Sequence, residues 1–192
     1  MARKRPIPTI FVSENVFSSE ECTFLITLYD RYSELARSKD YNYRPLLDYY
    51  TLRDVDTKSA SWVYALTLRC REKIEAHLST SDLFLESFFV ACLLAGDSHI
   101  PHADNERLES GGWVPNHTPQ RDYTGIAYLN HDFTGGELVF PDLDITIAPR
   151  PGLLVGFPSN HEFVHAVPKL LSGKRYSLPI WFTANSRKAM QI

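Results

Sequence analysis

His102 and Asp104 lie two residues apart in the stretch HIPHAD (99–104), and their side-chain types are suited to binding a metal ion. If the stretch is a strand, both side chains emerge on the same face of a sheet. One imidazole and one carboxylate, joined by a second imidazole from elsewhere, can hold a non-haem iron on three adjacent positions and leave three open. Because the chain has seven histidines, one H-x-D spacing also arises by chance, so its context must decide.

The C-terminal third of the chain offers two candidates for the missing imidazole, His161 and His165. Arg175 follows ten residues after His165 and opens a run, KRYSLPIWFT, that is typical of a strand. Alternation puts Ser177 and Trp181 on the face of Arg175, although a proline between them can disturb the register. A guanidinium there can bind a carboxylate through two parallel hydrogen bonds, which suits a dicarboxylate ligand. The residues by themselves leave the choice between His161 and His165 open.

The first part of the chain predicts helices. The run IPTIFV (7–12) predicts a short strand, and Ser18 with Glu21 forms a capping box that begins a helix. The apolar stripe of this helix is Leu25, Leu28, Tyr32 and Leu35. A second helix is predicted near 59–79. Its buried face is Val63, Leu66, Cys70, Ile74 and Leu78.

The segment 38–57 has no clean period and carries four tyrosines, so we interpret it as a loop or irregular strand. It either covers the edge of the core or lines a substrate cleft, and the residues leave both readings open. From about residue 86 onward, short apolar runs alternate with turn residues and predict an antiparallel sandwich or barrel of about eight strands. The longest polar insertion, 105–120, directly follows Asp104 and predicts a loop at the mouth of any site built there.

The bulk properties fit one soluble domain over 1–192, with a helical part about 1–82 and a β core about 83–186. A net charge of −3 gives no basic field for nucleic acid, and no apolar run is long enough to span a membrane. The basic opening MARKRP is not followed by the apolar region of a secretory signal. Three scattered cysteines predict buried, reduced thiols and a cytoplasmic location. They are Cys22, Cys70 and Cys92.

A family resemblance joins these observations. The motifs HAD, YLN, GGELVF, HAVP and GKRYS stand in the order seen in iron(II)- and 2-oxoglutarate-dependent dioxygenases of the prolyl hydroxylase group. The opening PTIFVSENVFSSEEC is also similar to that group. HADN, RDYTGIAYLNHDFTGGE and WFT most resemble the catalytic domains of leprecan-type prolyl 3-hydroxylases. The resemblance spans nearly the whole chain and implies an α+β, mainly β fold, a double-stranded β-helix (jelly roll) with N-terminal helices packed on it.

The resemblance also implies the roles of single residues. It assigns iron to His102, Asp104 and His165, and the far carboxylate of 2-oxoglutarate to Arg175. Further candidate contacts of the cosubstrate are Tyr128, Ser177 and Thr124. Fe(II), 2-oxoglutarate and dioxygen are the implied cofactor and cosubstrates, with ascorbate as an optional addition. The implied reaction hydroxylates an aliphatic C–H bond and decarboxylates 2-oxoglutarate to succinate.

Two departures leave the substrate open. Prolyl 4-hydroxylases often carry a tyrosine where this chain has Cys92-Leu93-Leu94, and a lysine where it has Arg175. Related halogenases lack the carboxylate that Asp104 supplies, which counts against halogenation. We expect proline or a prolyl segment as substrate, with another free amino acid or small natural product as the alternative. The alternative from a different functional class is a non-catalytic jelly-roll module that binds metal or 2-oxoglutarate.

Overall fold

The computed structural model describes residues 10–32, 34–35 and 45–192, which contain three α-helices and twelve β-strands. The helices are α1 (Ser19–Tyr32), α2 (Tyr49–Val55) and α3 (Thr57–Leu78). The strands are β1 (Phe11–Ser13), β2 (Leu46–Asp48), β3 (Phe84–Leu94), β4 (His99–His102), β5 (Glu106–Glu109), β6 (Gly112–Pro115), β7 (Tyr123–Tyr128), β8 (Leu138–Phe140), β9 (Ile145–Ile147), β10 (Leu154–Pro158), β11 (His165–Val167) and β12 (Lys174–Thr183). Within the described ranges, no helix combines the length and apolar character that a membrane crossing requires.

Two antiparallel sheets form the body of the molecule. The larger has the strand order β1-β10-β7-β12-β3-β2, and the smaller has the order β4-β11-β8-β9. Apolar side chains from β7 and β10 of the larger sheet pack with side chains from β8 of the smaller sheet, which places the sheets face to face. All eight apolar runs predicted after residue 86 are strands here, and the predicted double-stranded β-helix is confirmed.

Strand β12 shows how the pleat separates the apolar core from the cavity. On one face, Tyr176, Leu178 and Phe182 join an apolar cluster with α1 and α3. On the other face, Arg175 and Trp181 line a cavity between the sheets. The predicted disturbance by proline is absent from the β7 pairing, which runs continuously from Ser177 to Phe182.

The helices pack on the outer face of the larger sheet, as predicted. The capping box of α1 is present, since the Glu21 amide donates to Ser18 Oγ over 3.2 Å and the Ser18 amide donates to a Glu21 carboxylate oxygen over 2.9 Å. The predicted stripe is wrong at Leu35, which lies beyond the end of α1 and is exposed. The buried residues of α1 are Cys22, Leu25, Leu28 and Tyr29.

Helix α3 approaches the sheet closely because two glycines face it. Gly125 of β7 and Gly156 of β10 pair with each other, and a Cβ at either would come within about 3 Å of the Ile74 side chain. Ile74, Val63 and the rest of the predicted buried face of α3 do pack in the core, with Leu78 at its margin. Any larger residue at Gly156 would push α3 away from the sheet.

The described parts of the segments 38–57, interpreted as a loop or irregular strand, and 105–120, predicted as a loop, contain regular elements. Within 38–57, Leu46–Asp48 forms β2 at one edge of the larger sheet, and α2 follows directly. The Asp48 carboxylate caps α2 by accepting from the Thr51 amide over 2.9 Å, a local signal that the tyrosines obscured. The insertion 105–120 folds into a hairpin of β5 and β6.

The predicted helical part also supplies strands, since β1 and β2 form the two edges of the larger sheet. Residues 7–9 of the predicted first strand, and 38–44 of the segment 38–57, lie outside the described residues. All three cysteines are buried and free, as predicted. The single domain over 1–192 stays a prediction.

Candidate metal centre and its cavity

His102, Asp104 and His165 come together at one end of the smaller sheet. His165 begins β11 directly opposite His102 at the end of β4, and their ring centroids lie 4.4 Å apart. Asp104 Oδ1 lies 3.9 Å from His102 Nε2, and Asp104 Oδ2 lies 3.8 Å from His165 Nε2. One ligand atom from each of the three residues lies within 4.8 Å of the others, close enough to share one metal ion.

Hydrogen bonds set the tautomer of both imidazoles. His102 Nδ1 lies 2.8 Å from the Ile100 carbonyl oxygen, and His165 Nδ1 lies 3.1 Å from that of Phe163. Each Nδ1–H can donate to its carbonyl, which leaves the Nε2 lone pair for a metal. Burial lowers the pKa of His165, so this ring stays neutral and able to ligate.

Asp104 lies just beyond the end of β4, so the prediction of one shared strand holds only for His102. Hydrogen bonds of the Asp104 backbone fix the position of this residue instead. The Asp104 amide donates to the Ser159 carbonyl over 2.9 Å, and Thr118 Oγ1 donates to the Asp104 carbonyl over 2.9 Å. Asn116 Nδ2 donates to the same carbonyl over 3.1 Å. The turn that carries the ligand is therefore built from residues on both sides of the hairpin that follows it.

A buried cation faces the same cavity. Arg175 is 3% exposed, and no carboxylate of the described residues forms an ion pair with it. Its Nε and the hydroxyl of Tyr128 are both buried and have no hydrogen-bond partner among the described residues. The guanidinium carbon lies 4.9 Å from the centre of the Tyr128 ring. Burial raises the pKa of Tyr128, so its hydroxyl keeps its proton as a donor. Unpaired buried donors of this kind call for an anionic ligand.

A family model matches this part of the chain. The model described as "2OG-Fe(II) oxygenase superfamily" covers residues 88–183, half of the chain, and includes all three metal-binding candidates and Arg175. The chain belongs to the 2OG-Fe(II) oxygenase superfamily. It is therefore an oxidoreductase whose cofactor and cosubstrates are Fe(II), 2-oxoglutarate and dioxygen.

Its relatives include prolyl hydroxylases. Prolyl 3-hydroxylase 2 of Homo sapiens is 32% identical over 149 residues, which cover 67% of this chain and 21% of the relative. The viral collagen prolyl hydroxylase of Paramecium bursaria Chlorella virus-1, solved with 2-oxoglutarate, has a TM-score of 0.62 at 18% identity and covers 95% of this chain and 96% of that one. A Trichoplax adhaerens prolyl hydroxylase, solved with a peptide of hypoxia-inducible factor, has a TM-score of 0.65 at 18% identity, with 94% and 86% covered.

The sequence relatives and the solved structures carry different information. The chain spans about a fifth of the length of the curated relatives it matches. The solved structures share its fold over nearly the full length of both chains. Together they place the jelly roll and its helices within the fold of this oxygenase superfamily.

The donor set fits the cofactor and cosubstrate of the superfamily. Two neutral imidazoles and one carboxylate leave a ferrous ion with a net charge near +1, which suits an anionic keto acid. Arg175 supplies a buried cation with no carboxylate partner in the described part of the chain, and Tyr128 and Ser177 lie side by side on β7 and β12 beside it. Thr124 is turned to a different partner, since its hydroxyl lies 2.6 Å from Asp104 Oδ2.

The sequence missed a second pair in the cavity wall. The Arg121 guanidinium stacks 3.9 Å from the centre of the Trp181 ring, and Arg121 Nε donates to Glu86 over 3.1 Å. Trp181 Nε1 is buried and has no hydrogen-bond partner within the ranges that the structure describes. Alternation from Tyr128 back along β7 leads past Thr124 to position 122, so no periodic signal pointed to Arg121.

The remaining histidines are not ligands in this arrangement. The His161 ring stacks on Trp113 and pairs with Glu106 through Nδ1 over 2.7 Å, which ties the hairpin to the segment before β11. His99 lies at the rim of the cavity, with its ring 6.2 Å from that of His102. His131 is exposed.

Proposed function

We propose that this chain hydroxylates a prolyl residue within a peptide, with His102, Asp104 and His165 holding Fe(II) and Arg175 binding the far carboxylate of 2-oxoglutarate. The observation that carries the proposal is the closeness of the three ligand atoms, within 4.8 Å of one another, in a cavity that also holds Arg175, which has no ion-pair partner among the described residues. Iron with 2-oxoglutarate and dioxygen supplies an oxidant able to break an aliphatic C–H bond. The protein supplies ligands, orientation and a dry pocket.

The residues of the chain divide this task. Arg175 and Tyr128 orient the cosubstrate through donors that have no other described partner. The buried aromatic rings of Phe140 and Phe157 pack against His165, with centroids 5.9 and 4.8 Å away, and keep that side of the metal site dry. His102 is the more exposed imidazole, so the substrate reaches the site from its side.

The size and donors of the cavity support a peptide. Its volume of about 970 Å³ is large for one amino acid, and its wall extends from the metal site to Tyr49 and Tyr50. Trp181 Nε1 is an unsatisfied donor, and a peptide brings a carbonyl acceptor at every residue. The proline ring itself lacks an N–H to satisfy.

The carboxylates around the cavity disfavour a free amino acid. Asp48 is engaged as the cap of α2, and Asp104 is a metal-binding candidate. Glu86 accepts from Arg121 over 3.1 Å and from Gln120 over 2.8 Å. Among the described residues that line the cavity, no carboxylate is therefore left to bind the ammonium group of a free amino acid. A prolyl residue inside a peptide carries no such charge.

The test compares peptides with the free amino acid. The purified chain, with Fe(II), 2-oxoglutarate and ascorbate, is offered a set of peptides with one central proline, and free L-proline. We expect succinate release coupled to the gain of one oxygen atom by peptides, measured by mass spectrometry. Turnover of free L-proline with no turnover of any peptide would contradict the peptide proposal. No coupled oxidation of any proline compound would remove proline as the substrate.

Trp181→Phe tests the wall of the cavity. It removes the indole donor and keeps an aromatic face, so the peptide KM should rise by the equivalent of about 0.5–1.5 kcal/mol, several-fold. The 2-oxoglutarate requirement should stay unchanged. Trp62→Phe is the matched control, because Trp62 lies on α3 and packs on Phe24, outside the cavity. Equal effects of the two changes would show that Trp181 does not contact the substrate.

We also propose a cytoplasmic location. Burial raises the pKa of the Cys92 thiol to about 11 and also raises that of Cys22, so these groups resist conversion to reactive thiolates. All three cysteines are free, which suits a reducing compartment. Fractionation of cells that express the full chain would test this, and recovery with secretory membranes would contradict it.

A further inference from the structure

A chain of two hydroxyl groups ends on one oxygen of the Asp104 carboxylate. Thr124 Oγ1 lies 2.6 Å from Asp104 Oδ2 and 2.8 Å from Ser159 Oγ. Thr124 and Ser159 are each 1% exposed, so water does not compete for these bonds. Oδ1 lies 3.9 Å from His102 Nε2 and Oδ2 lies 3.8 Å from His165 Nε2, but only Oδ1 accepts no hydrogen bond from the residues that the structure describes.

The direction of these hydrogen bonds follows from the donors that are available. An ionised carboxylate only accepts, so the single hydrogen of Thr124 points to Asp104. Ser159 then donates its own hydrogen to Thr124. The Thr124 hydroxyl has no second hydrogen to give, so it cannot also donate to a carboxylate of the cosubstrate. This geometry departs from the cosubstrate contact that the sequence predicts for Thr124.

We propose that Thr124 is a positioning residue, which engages Asp104 Oδ2 so that Oδ1 alone binds the metal. A carboxylate that binds through both oxygens takes an additional coordination position. A carboxylate held to one oxygen leaves that position to the keto acid and dioxygen. The inference rests on the proposed assignment of Asp104 as a ligand, and it is independent of the substrate.

The fold holds this series of hydrogen bonds rigidly in place. Thr124 lies on β7 opposite Phe157 of β10, and Ser159 follows directly after β10. The Ser159 carbonyl also accepts from the amides of Asp104 and Asn105, over 2.9 and 3.2 Å. Ser159 thus holds the ligand turn by its backbone and the ligand carboxylate through Thr124. Partners of metal ligands act in this way by restricting ligand orientation.

The test uses Co(II), whose visible absorption reports the number and arrangement of its ligands. Thr124→Val removes the hydroxyl at nearly constant volume. We expect Co(II) affinity to fall about 10- to 100-fold. We also expect a changed Co(II) absorption spectrum and a raised 2-oxoglutarate KM, with a smaller change in kcat. Thr124→Ser restores the hydroxyl and should return the spectrum to that of the natural chain, and Ser159→Ala should give a weaker form of the Thr124→Val change.

Thr67→Val is the matched control, because Thr67 is also fully buried but donates within α3, to the Tyr64 carbonyl. It should leave Co(II) affinity and spectrum unchanged. A natural spectrum and affinity in Thr124→Val would overturn the proposal, and so would a failure of Thr124→Ser to restore them. Should Thr124→Val fail to fold, Ser159→Ala and Thr124→Ser decide by the same spectrum. His165→Ala keeps the two proposals apart, because unaltered Co(II) binding in that variant would refute the ligand assignment itself.

Discussion

The two faces of the six-stranded sheet are built from the same strands and serve opposite purposes. On the outer face, Leu178 and Phe182 are fully buried against the helices. On the inner face, Arg175 and Ser177 are nearly as buried, yet no described residue forms a hydrogen bond with Nε of the guanidinium. The outer face gains stability from apolar area, whereas the inner face keeps polar groups unsatisfied until ligands arrive.

Variants on the two faces should therefore separate stability from function. A change on the outer face should lower the free energy of unfolding and leave the chemistry of the folded fraction intact. A change on the inner face should do the reverse, because removal of an unsatisfied polar group relieves a cost of folding.

His165→Ala should abolish turnover while the fold survives. The residue lies at the inner face of the smaller sheet, and its Nε2 has no described role other than ligation. Calorimetric titration should show that metal binding is lost, and the far-UV circular dichroism spectrum should be unchanged. His102→Ala and Asp104→Ala should behave alike. His161→Ala is the matched control and should bind metal normally, since His161 pairs with Glu106. Metal binding lost in His161→Ala and kept in His165→Ala would reverse the ligand assignment.

Leu178→Ala should destabilise the fold by about 2–5 kcal/mol, because it leaves a cavity in a core that cannot fully collapse. Leu178 is fully buried and belongs to the cluster that joins α1 and α3 to the sheet. Urea denaturation measures the loss. Ser177→Ala, its neighbour on the inner face, should barely alter the midpoint. Equal losses of unfolding free energy in the two variants would show that the two faces contribute equally to stability.

The same alternation explains how much the sequence revealed. The period of two through KRYSLPIWFT predicted that Arg175, Ser177 and Trp181 share a face, and the cavity confirms it. The strand order of a jelly roll came from resemblance, because alternation shows faces and does not show neighbours. Arg121 was missed since its contact with Trp181 joins segments 60 residues apart and follows no local period.

Local signals also failed where tertiary contacts decide the structure. The sequence of the β5–β6 hairpin predicts a polar loop, because most of its side chains are exposed on both faces. What holds it is a contact that is distant in sequence, the hydrogen bond between Glu106 and the His161 ring, supported by the stacking of Trp113 on that ring. No count of polar residues in 105–120 can reveal that pair.

Arg175→Ala should raise the 2-oxoglutarate KM steeply and change metal affinity little. The lost charge-assisted hydrogen bonds are equivalent to about 1.5–3 kcal/mol, or roughly 10- to 100-fold. The free energy of unfolding without ligands should stay equal or rise, because the variant no longer buries an unpaired charge. Steady-state kinetics and urea denaturation measure the two quantities. An unchanged 2-oxoglutarate requirement would show that Arg175 does not bind the cosubstrate.

Tyr128→Phe should give the smallest of these effects, and it separates the hydroxyl from the ring. The ring is fully buried, packs in the core between the sheets and lies against the Arg175 guanidinium, and phenylalanine keeps those contacts. The lost hydroxyl has no described partner, so stability should hold or improve slightly. If the hydroxyl donates to 2-oxoglutarate, the KM should rise by the equivalent of about 0.5–1.5 kcal/mol, less than for Arg175→Ala. The double variant decides whether both contact the same carboxylate, because shared contacts give a combined effect smaller than the sum of the single effects. Additive effects would place the Tyr128 hydroxyl on a different group from the one that Arg175 binds.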